Sequence, residues 1–119
     1  MHNQLSVVII SKNEEKFIAD AVKSALFADE VLVLDSGSID STCAVAQQVG
    51  AKVLHQDWLG FGAQKNKAVN LAKNNWVFVL DSDERITAKL QSEILSTLQE
   101  PTADGYHTAR LNNFFGKDI

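Results

Sequence analysis

Short apolar runs alternate with stretches of helical periodicity along this chain of 119 residues. Residues 5–10 form an apolar run rich in β-branched side chains, which predicts a strand buried on both faces. Three further apolar runs predict strands at residues 31–34, 52–54 and 76–80. A fifth strand is expected around His107.

A first helix is predicted between the first two strands. Asn13 is its expected N-cap, and Glu14 and Glu15 lie in the first turn, where negative charge suits the helix dipole. The helix would pack against the sheet through one apolar stripe. Six residues at helical spacing form that stripe: Phe17, Ile18, Ala21, Val22, Ala25 and Leu26.

The remaining helices follow the later strands. A second helix is expected to be capped by Asp40 or Ser41 and to end at Gly50, and a third to span residues 63–73. A fourth is expected to begin at Thr87 and to stop at Pro101. Its apolar face would consist of Leu90, Ile94, Leu95 and Leu98.

This alternation of strand and helix predicts an α/β fold with a mostly parallel central sheet flanked by helices. Parallel sheets of this kind bind ligands at the carboxyl ends of their strands. The residues directly after each strand are therefore the first candidates for a functional site.

Composition is typical of a globular protein, here a single domain of residues 1–119. Apolar residues make up 45% of the sequence, and the formal net charge of -4 disfavours nucleic acid as a partner. No apolar run approaches the roughly 20 residues that cross a bilayer, so no transmembrane segment is expected. Cys43, the only cysteine, is expected to be a small buried thiol in a reducing, cytoplasmic setting.

Acidic residues follow the predicted strand at residues 76–80. Asp81 and Asp83 are two residues apart, and such carboxylates repel each other unless a cation lies near them. Mg²⁺ and Mn²⁺ prefer oxygen ligands of this kind. The pair is therefore a candidate metal site, with a solvated acidic turn as the alternative.

The segment after the second strand is the next candidate. Asp35 ends the strand and can accept hydrogen bonds from a nucleobase or a ribose, and Gly37 suits a sharp turn. The serines and Asp40 around them are equally well explained as turn and capping residues. The sequence leaves both interpretations open for these polar neighbours.

A glycine-containing segment at residues 60–66 opens the third helix. Its glycines permit close backbone approach to a ligand, and Lys65 or Lys67 could reach a diphosphate. The segment has no third glycine and does not directly follow the first strand, so it is not a dinucleotide-binding fingerprint. Trp58, in the preceding loop, is a better candidate for a ligand contact than Trp76. The three histidines are expected to be structural or exposed.

In order and spacing these segments resemble the family-two glycosyltransferases. Residues 6–14 resemble the first strand and polar loop of that family, and residues 31–42 its second strand and turn. Residues 62–66 end in Lys65 and Asn66, where many members of that family have a basic residue followed by Asn. Residues 77–84 resemble the strand of the family that ends in an Asp-x-Asp metal motif. The similarity is closest to the bacterial subgroup that adds glucose or related sugars to the lipopolysaccharide inner core. That subgroup typically carries Asp-x-Asp-Glu-Arg, which is present here at residues 81–85. Residues 106–117 resemble the segment of the subgroup that follows its metal site.

The resemblance implies a GT-A type, Rossmann-like α/β fold, truncated after about the first half of a typical member. It implies that Asp35 contacts the uracil or ribose, Lys65 the diphosphate, and that Asp83 binds the metal. Asp81 would hold the ribose or the water shell of the metal. The nucleotide-binding residues that the resemblance implies are Ser11, Asn13, Glu14, Asp35, Gly37, Lys65 and Asp81, with Asp83 and Asp81 at the metal.

The implied reaction is metal-dependent transfer of a sugar, with inversion, to an acceptor hydroxyl. The expected donor is a UDP-sugar such as UDP-glucose, the acceptor a glycan or glycolipid, and the cofactor a divalent cation, Mn²⁺ or Mg²⁺. Members carry their general base further along the chain, and neither Glu84 nor Asp104 qualifies by spacing. We expect the base to lie beyond residue 119, so the chain alone should bind donor but transfer sugar slowly or not at all. The cytoplasm, at or near the inner membrane, is the expected location.

Two alternatives stay open at the level of sequence. A haloacid-dehalogenase-type phosphatase also has Asp-x-Asp after a strand, with Asp81 as nucleophile, but there the motif follows the first core strand. Here it follows the fourth predicted strand. A non-catalytic module that binds nucleotides, or that only assembles with a partner, is the second alternative. Nucleotide binding without a need for metal would favour it.

Overall fold

Five strands form a single sheet in the computed structural model, which describes residues 4–99 and the backbone of residues 114–116. The strand order is β3-β2-β1-β4-β5, in which β1 to β4 are parallel and β5 runs antiparallel to β4. The strands are β1 (Leu5–Ser11), β2 (Glu30–Asp35), β3 (Lys52–His55), β4 (Trp76–Asp81) and β5 (Phe114–Gly116). The four parallel strands confirm the prediction from the apolar runs.

Four helices within residues 4–99 connect and flank these strands: α1 (Ile18–Ser24), α2 (Thr42–Gln48), α3 (Phe61–Leu71) and α4 (Ala88–Leu98). The predicted cap of α4 is confirmed, because the Leu90 N–H donates to the Thr87 hydroxyl at 3.1 Å. The predicted end of α2 at Gly50 is also confirmed, because Gly50 follows the C-cap residue with a φ of 116° that favours glycine.

The core has two layers, one on each face of the sheet. Side chains alternate along β1, so that Val7 and Ile9 pack with α1, α2 and α4, while Val8 packs with α3 on the other face. Both layers exclude water almost completely at the centre of the sheet. This explains why the sequence of the parallel strands is apolar at consecutive positions.

The predicted start of the first helix is wrong. Asn13 is not an N-cap: it has a left-handed φ of 54°, and α1 begins five residues later, at Ile18. Phe17 and Leu26 are about half exposed and do not belong to the buried stripe. The cause is tertiary, because the backbone after β1 makes hydrogen bonds to the segment after β2 instead of starting a helix.

Two smaller expectations also need correction. The third helix begins at Phe61 and not at residue 63, since Gly60 is its N-cap and accepts a hydrogen bond from the Gln64 N–H at 2.8 Å. Cys43 is partly exposed and not fully buried. The expectations for His107 and Pro101 lie outside the described residues.

The longest helices among the described residues, α3 and α4, have 11 residues each. No helix in this part of the chain has the length and apolarity needed to cross a bilayer.

Truncation of Ile9 to alanine should destabilise the fold by about 2–5 kcal/mol, because the side chain is fully buried in the central strand and its loss leaves a cavity. Urea unfolding followed by circular dichroism measures this loss. The matched control is Ile39→Ala, since Ile39 is 93% exposed, and it should change the free energy of unfolding by no more than about 0.5 kcal/mol. Equal effects of the two substitutions would contradict the assignment of the core.

Candidate functional site at the carboxyl edge of the sheet

The parallel register brings the predicted site residues to one edge of the sheet. Ser11 lies beside Asp35 across β1 and β2, and Ile10 lies beside Asp81 across β1 and β4. His55 lies on the other side of Asp35, at the end of β3. The ends of four strands therefore meet where ligands bind in sheets of this type.

Asp35 is the most tightly held polar residue of this edge, with only 3% of its surface exposed. Its Oδ1 accepts hydrogen bonds from the hydroxyls of Ser11, at 2.8 Å, and Ser38. Its Oδ2 accepts from the backbone N–H groups of Gly37, at 2.9 Å, and Ser38, at 2.7 Å. Gly37 has a φ of 110°, which only glycine adopts without strain. Asp35 therefore shapes the turn after β2 and presents little surface to a ligand.

These hydrogen bonds also set the charge of the site. Burial by itself would raise the pKa of Asp35, but the donors of Ser38, Ser11 and Gly37 outweigh that effect and hold the pKa below its ordinary value of 3.8. The carboxylate is consequently ionised at neutral pH. Burial and the neighbouring Asp35 carboxylate raise the pKa of the Cys43 thiol, which argues against a reactive thiolate there.

Asn13 joins the segment after β1 to the segment after β2. Its backbone N–H donates to the Ser38 hydroxyl at 2.7 Å, and its side-chain oxygen accepts from the Ile39 N–H at 2.9 Å. Asn13 makes both bonds from a left-handed backbone conformation, which Asn tolerates better than most residues. Asn13 thus acts in the architecture of the site through both its backbone and its side chain.

The next two residues continue the same connection. The Glu14 N–H donates to the Thr42 hydroxyl at 2.9 Å, and the Glu15 N–H donates to Asp40 at 3.3 Å. Asp40 also accepts from the backbone N–H of Thr42 at 2.9 Å and caps the first turn of α2. The hydroxyl of Thr42 is the main cause of a lowered pKa at Asp40. A small cavity of about 150 Å³ lies beside this connection, and its lining includes Asn13, Glu14, Phe17 and Asp40.

A larger cavity of about 350 Å³ opens at the same edge and is lined by Lys12, Ser36 and Trp58. The three residues follow β1, β2 and β3 respectively. The volume suits a small molecule, and the lining offers a cation, a hydroxyl and an indole. The rings of Trp58 and Phe61 form a T-shaped pair, with ring centroids 5.0 Å apart. Sequence reasoning singled out Trp58 but assigned no role to Lys12, although its position directly after a strand was the available signal.

Asp81 and Asp83 lie at the end of β4 with exposed side chains. A tight turn holds them, because the Glu84 N–H donates to the Asp81 carbonyl at 3.0 Å and the Asp81 N–H to the Glu84 carboxylate at 3.3 Å. Within the described residues no group of three or more His, Cys, Asp or Glu side chains could enclose a metal. Two carboxylates suit a Mg²⁺ or Mn²⁺ ion that takes its other ligands from water and a bound phosphate. The donor set therefore fits a cation shared with a ligand.

The remaining polar candidates lie on or near α3. Lys65 is exposed in the first part of this helix, one residue after the fully buried Gln64. The His55 ring nitrogen Nε2 lies 2.7 Å from an oxygen of Asp57, and both side chains are exposed. His55 is thus exposed, as expected from the sequence.

Comparison with known proteins gives one family. Residues 6–118 match the model of glycosyl transferase family 2. An uncharacterized glycosyltransferase of Rickettsia felis is 42% identical over 104 residues, which cover 87% of this chain and 37% of that protein. The lipopolysaccharide core biosynthesis glycosyltransferase LpsC of Rhizobium meliloti is 31% identical over 114 residues, covering 89% of this chain and 42% of LpsC. The chain thus spans well under half the length of these relatives.

A solved structure has the same fold. Glucosyl-3-phosphoglycerate synthase of Mycobacterium tuberculosis, crystallised with Mn²⁺, UDP and glucosyl-3-phosphoglycerate, superposes with a TM-score of 0.66 at 26% identity. The match covers 79% of this chain and 40% of the synthase. The expected GT-A fold is confirmed. The family match favours a transferase over the phosphatase alternative.

Replacement of Asp35 by asparagine should destabilise the fold by about 1–3 kcal/mol at neutral pH, since it removes a charged acceptor and sets an amide against buried donors. Because the folded-state pKa is lowered, the carboxylate stabilises the fold fully above the ordinary value of 3.8 and loses that contribution as pH falls through the folded pKa. The difference in unfolding free energy between wild type and variant should therefore be constant well above pH 3.8 and shrink below it. Urea unfolding across a pH series measures this.

Asp20→Asn is the control for that series, because Asp20 is exposed on α1. It should change the unfolding free energy by no more than about 0.5 kcal/mol at any pH. An Asp35→Asn variant as stable as the wild type at neutral pH would rule out the structural role of the buried carboxylate.

Proposed function

This chain belongs to glycosyl transferase family 2, and we propose that the carboxyl edge of its sheet binds a nucleotide-sugar donor for transfer of the sugar to an acceptor hydroxyl. One observation carries the proposal. The cavity lined by Lys12, Ser36 and Trp58 lies at the same edge of the sheet as the exposed carboxylates of Asp81 and Asp83. A nucleoside diphosphate needs an aromatic or polar surface for its base or sugar, which the cavity offers. It also needs positive charge for its phosphates, which Lys12 and a cation held by the two carboxylates would supply.

The proposed donor is a uridine diphosphate sugar, with glucose as the sugar. The M. tuberculosis synthase that shares this fold was crystallised with UDP and Mn²⁺, which supports a uridine nucleotide and a divalent cation here. Trp58 offers a flat face and Ser36 a hydroxyl, while Lys12, together with Lys65 on α3, offers charge to the diphosphate. Ser11, Asn13, Asp35 and Gly37 act by holding the segments that carry these groups.

Asp83, with Asp81, is the proposed holder of Mn²⁺ or Mg²⁺. When bound, such an ion stabilises negative charge on the departing diphosphate. The exposed position of both carboxylates after β4 lets them reach an ion that a phosphate also contacts. Without a ligand phosphate the two side chains offer too few ligands for tight binding, so cation and nucleotide should bind together.

The proposed reaction inverts the anomeric carbon of the donor. The acceptor hydroxyl oxygen attacks that carbon, the bond to the diphosphate oxygen breaks, and the hydroxyl proton passes to a base outside the residues assigned here. We propose a glycan or glycolipid acceptor in the lipopolysaccharide core, made at the cytoplasmic side of the inner membrane. The 31% identity to LpsC supports this choice.

Binding of UDP should require Mn²⁺ and depend on Asp83. Isothermal titration calorimetry should show that the wild type binds UDP only when Mn²⁺ is present. In the presence of Mn²⁺, Asp83→Ala should weaken the affinity for UDP at least about tenfold, equivalent to about 1.4 kcal/mol. Asp20→Ala, which removes an exposed carboxylate from α1, should leave the affinity unchanged. Metal-independent binding, or equal affinity of wild type and Asp83→Ala, would count against the proposed cation site.

Lys12 should contribute to the binding of phosphates and not of the nucleoside. Lys12→Ala is expected to weaken UDP about fivefold, or about 1 kcal/mol for an exposed charge, and to leave binding of uridine unchanged. Lys52→Ala is the control, because Lys52 is exposed at the opposite end of β3. Competition against a fluorescent uridine nucleotide compares the variants. Equal losses for uridine and UDP would exclude a phosphate contact.

A further inference from the structure

Gln64, the fourth residue of α3, has a polar side chain with no exposed surface. Its side-chain oxygen accepts a hydrogen bond from the Leu59 N–H at 3.1 Å. Its side-chain nitrogen donates to the Gln56 carbonyl at 3.1 Å. One amide group therefore binds both sides of the short segment that contains Trp58.

This segment, residues 56–59, is also anchored at its two ends. The Gln56 N–H donates to the carbonyl of Asp35 at 2.9 Å, which joins the segment to the end of β2. At the other end, Gly60 is the N-cap of α3 and accepts from the Gln64 backbone N–H at 2.8 Å. The side chain of Gln64 thus connects the start of α3 to the strand end that bears the turn at Asp35.

Trp58 itself is only half buried. Its side chain is 49% exposed, and its ring forms a T-shaped pair with that of Phe61, which is itself more exposed. An aromatic pair of this kind adds about 0.5–1.5 kcal/mol beyond the surface that the two rings bury. The position of the indole at the cavity therefore depends on the path of the backbone of residues 56–59, which the side chain of Gln64 holds.

We propose that Gln64 is a positioning residue that fixes Trp58 as one wall of the cavity and thereby sets the affinity of the site for its ligand. This role explains why the side-chain amide of Gln64 is fully buried, because both of its hydrogen-bond partners are backbone groups of the segment that contains Trp58. An apolar side chain of the same length would fill the space but leave the Leu59 N–H and the Gln56 carbonyl without these partners. The proposal rests on the proposed function only for the identity of the ligand, a uridine nucleotide.

Gln64→Met tests the proposal, because methionine keeps the length of the side chain and removes both hydrogen bonds. Gln48→Met, at an exposed position of α2, is the matched control. The first readout needs no ligand: iodide quenches the fluorescence of Trp58 but hardly that of Trp76, which is only 4% exposed. Iodide quenching of Gln64→Met should rise and its tryptophan anisotropy fall, with the control unchanged.

The second readout is UDP affinity in a double-mutant cycle with Trp58→Ala. Gln64→Met should weaken UDP about tenfold in the wild-type background, or about 1.4 kcal/mol, and have almost no effect once Trp58 is absent. A residue that merely stabilises the fold would weaken binding equally in both backgrounds. Circular dichroism monitors folding, and should Gln64→Met unfold, Gln64→Asn is used, since it keeps a neutral amide but is shorter by one methylene group and cannot keep both hydrogen bonds at their present lengths.

Two results would overturn the proposal: unchanged quenching and anisotropy in a folded Gln64 variant, or equal losses of UDP affinity with and without Trp58. Absence of UDP binding by the wild type is a different result. It would refute the proposed nucleotide ligand, while the quenching measurement would still decide whether Gln64 positions Trp58.

Discussion

The buried carboxylate of Asp35 is the constraint on which the carboxyl edge of the sheet depends. Its side chain accepts hydrogen bonds from Ser11 at the end of β1 and from Gly37 and Ser38 after β2, and its backbone carbonyl accepts from Gln56 after β3. One residue thus binds three strand ends together. Because the carboxylate is charged and shielded from water, the hydrogen bonds that its oxygens accept are stronger than those between neutral exposed groups. The residues that line the cavity, Lys12, Ser36 and Trp58, lie on the segments that Asp35 holds through its carboxylate and its backbone carbonyl.

The site therefore has a fixed part and an open part. The fixed part is the hydrogen-bonded network that runs from Asn13 through Asp35 to Gln64, in which backbone groups are satisfied by buried or half-buried side chains. The open part is the exposed pair Asp81 and Asp83. This division would suit the proposed donor, because the protein would fix only the shape of the pocket, while the phosphates and a shared cation would complete the charge balance on binding.

Prediction succeeded where the pattern is local. The strands could be read from the sequence because each is buried on both faces, which demands consecutive apolar residues, and the Thr87 cap because it acts within one helical turn. It failed at the start of α1. Asn13 has the side chain of a good N-cap, but its oxygen accepts from Ile39, 26 residues away, and no local pattern encodes that partner. For the same reason Asp35 was identified as a site residue without its burial being foreseen.

By itself the sequence determined the order of strands and helices, the two-faced burial of the sheet and the placing of acidic residues after its strands. Periodicity and residue type decide these features within a few positions of the chain. Only the tertiary structure decided that Lys12, Ser36 and Trp58 share one cavity, and that Gln64 holds the segment of Trp58. These relations arise from strand register and from the packing of α3, which bring together residues that are distant along the chain, and hydrogen bonds then set their geometry.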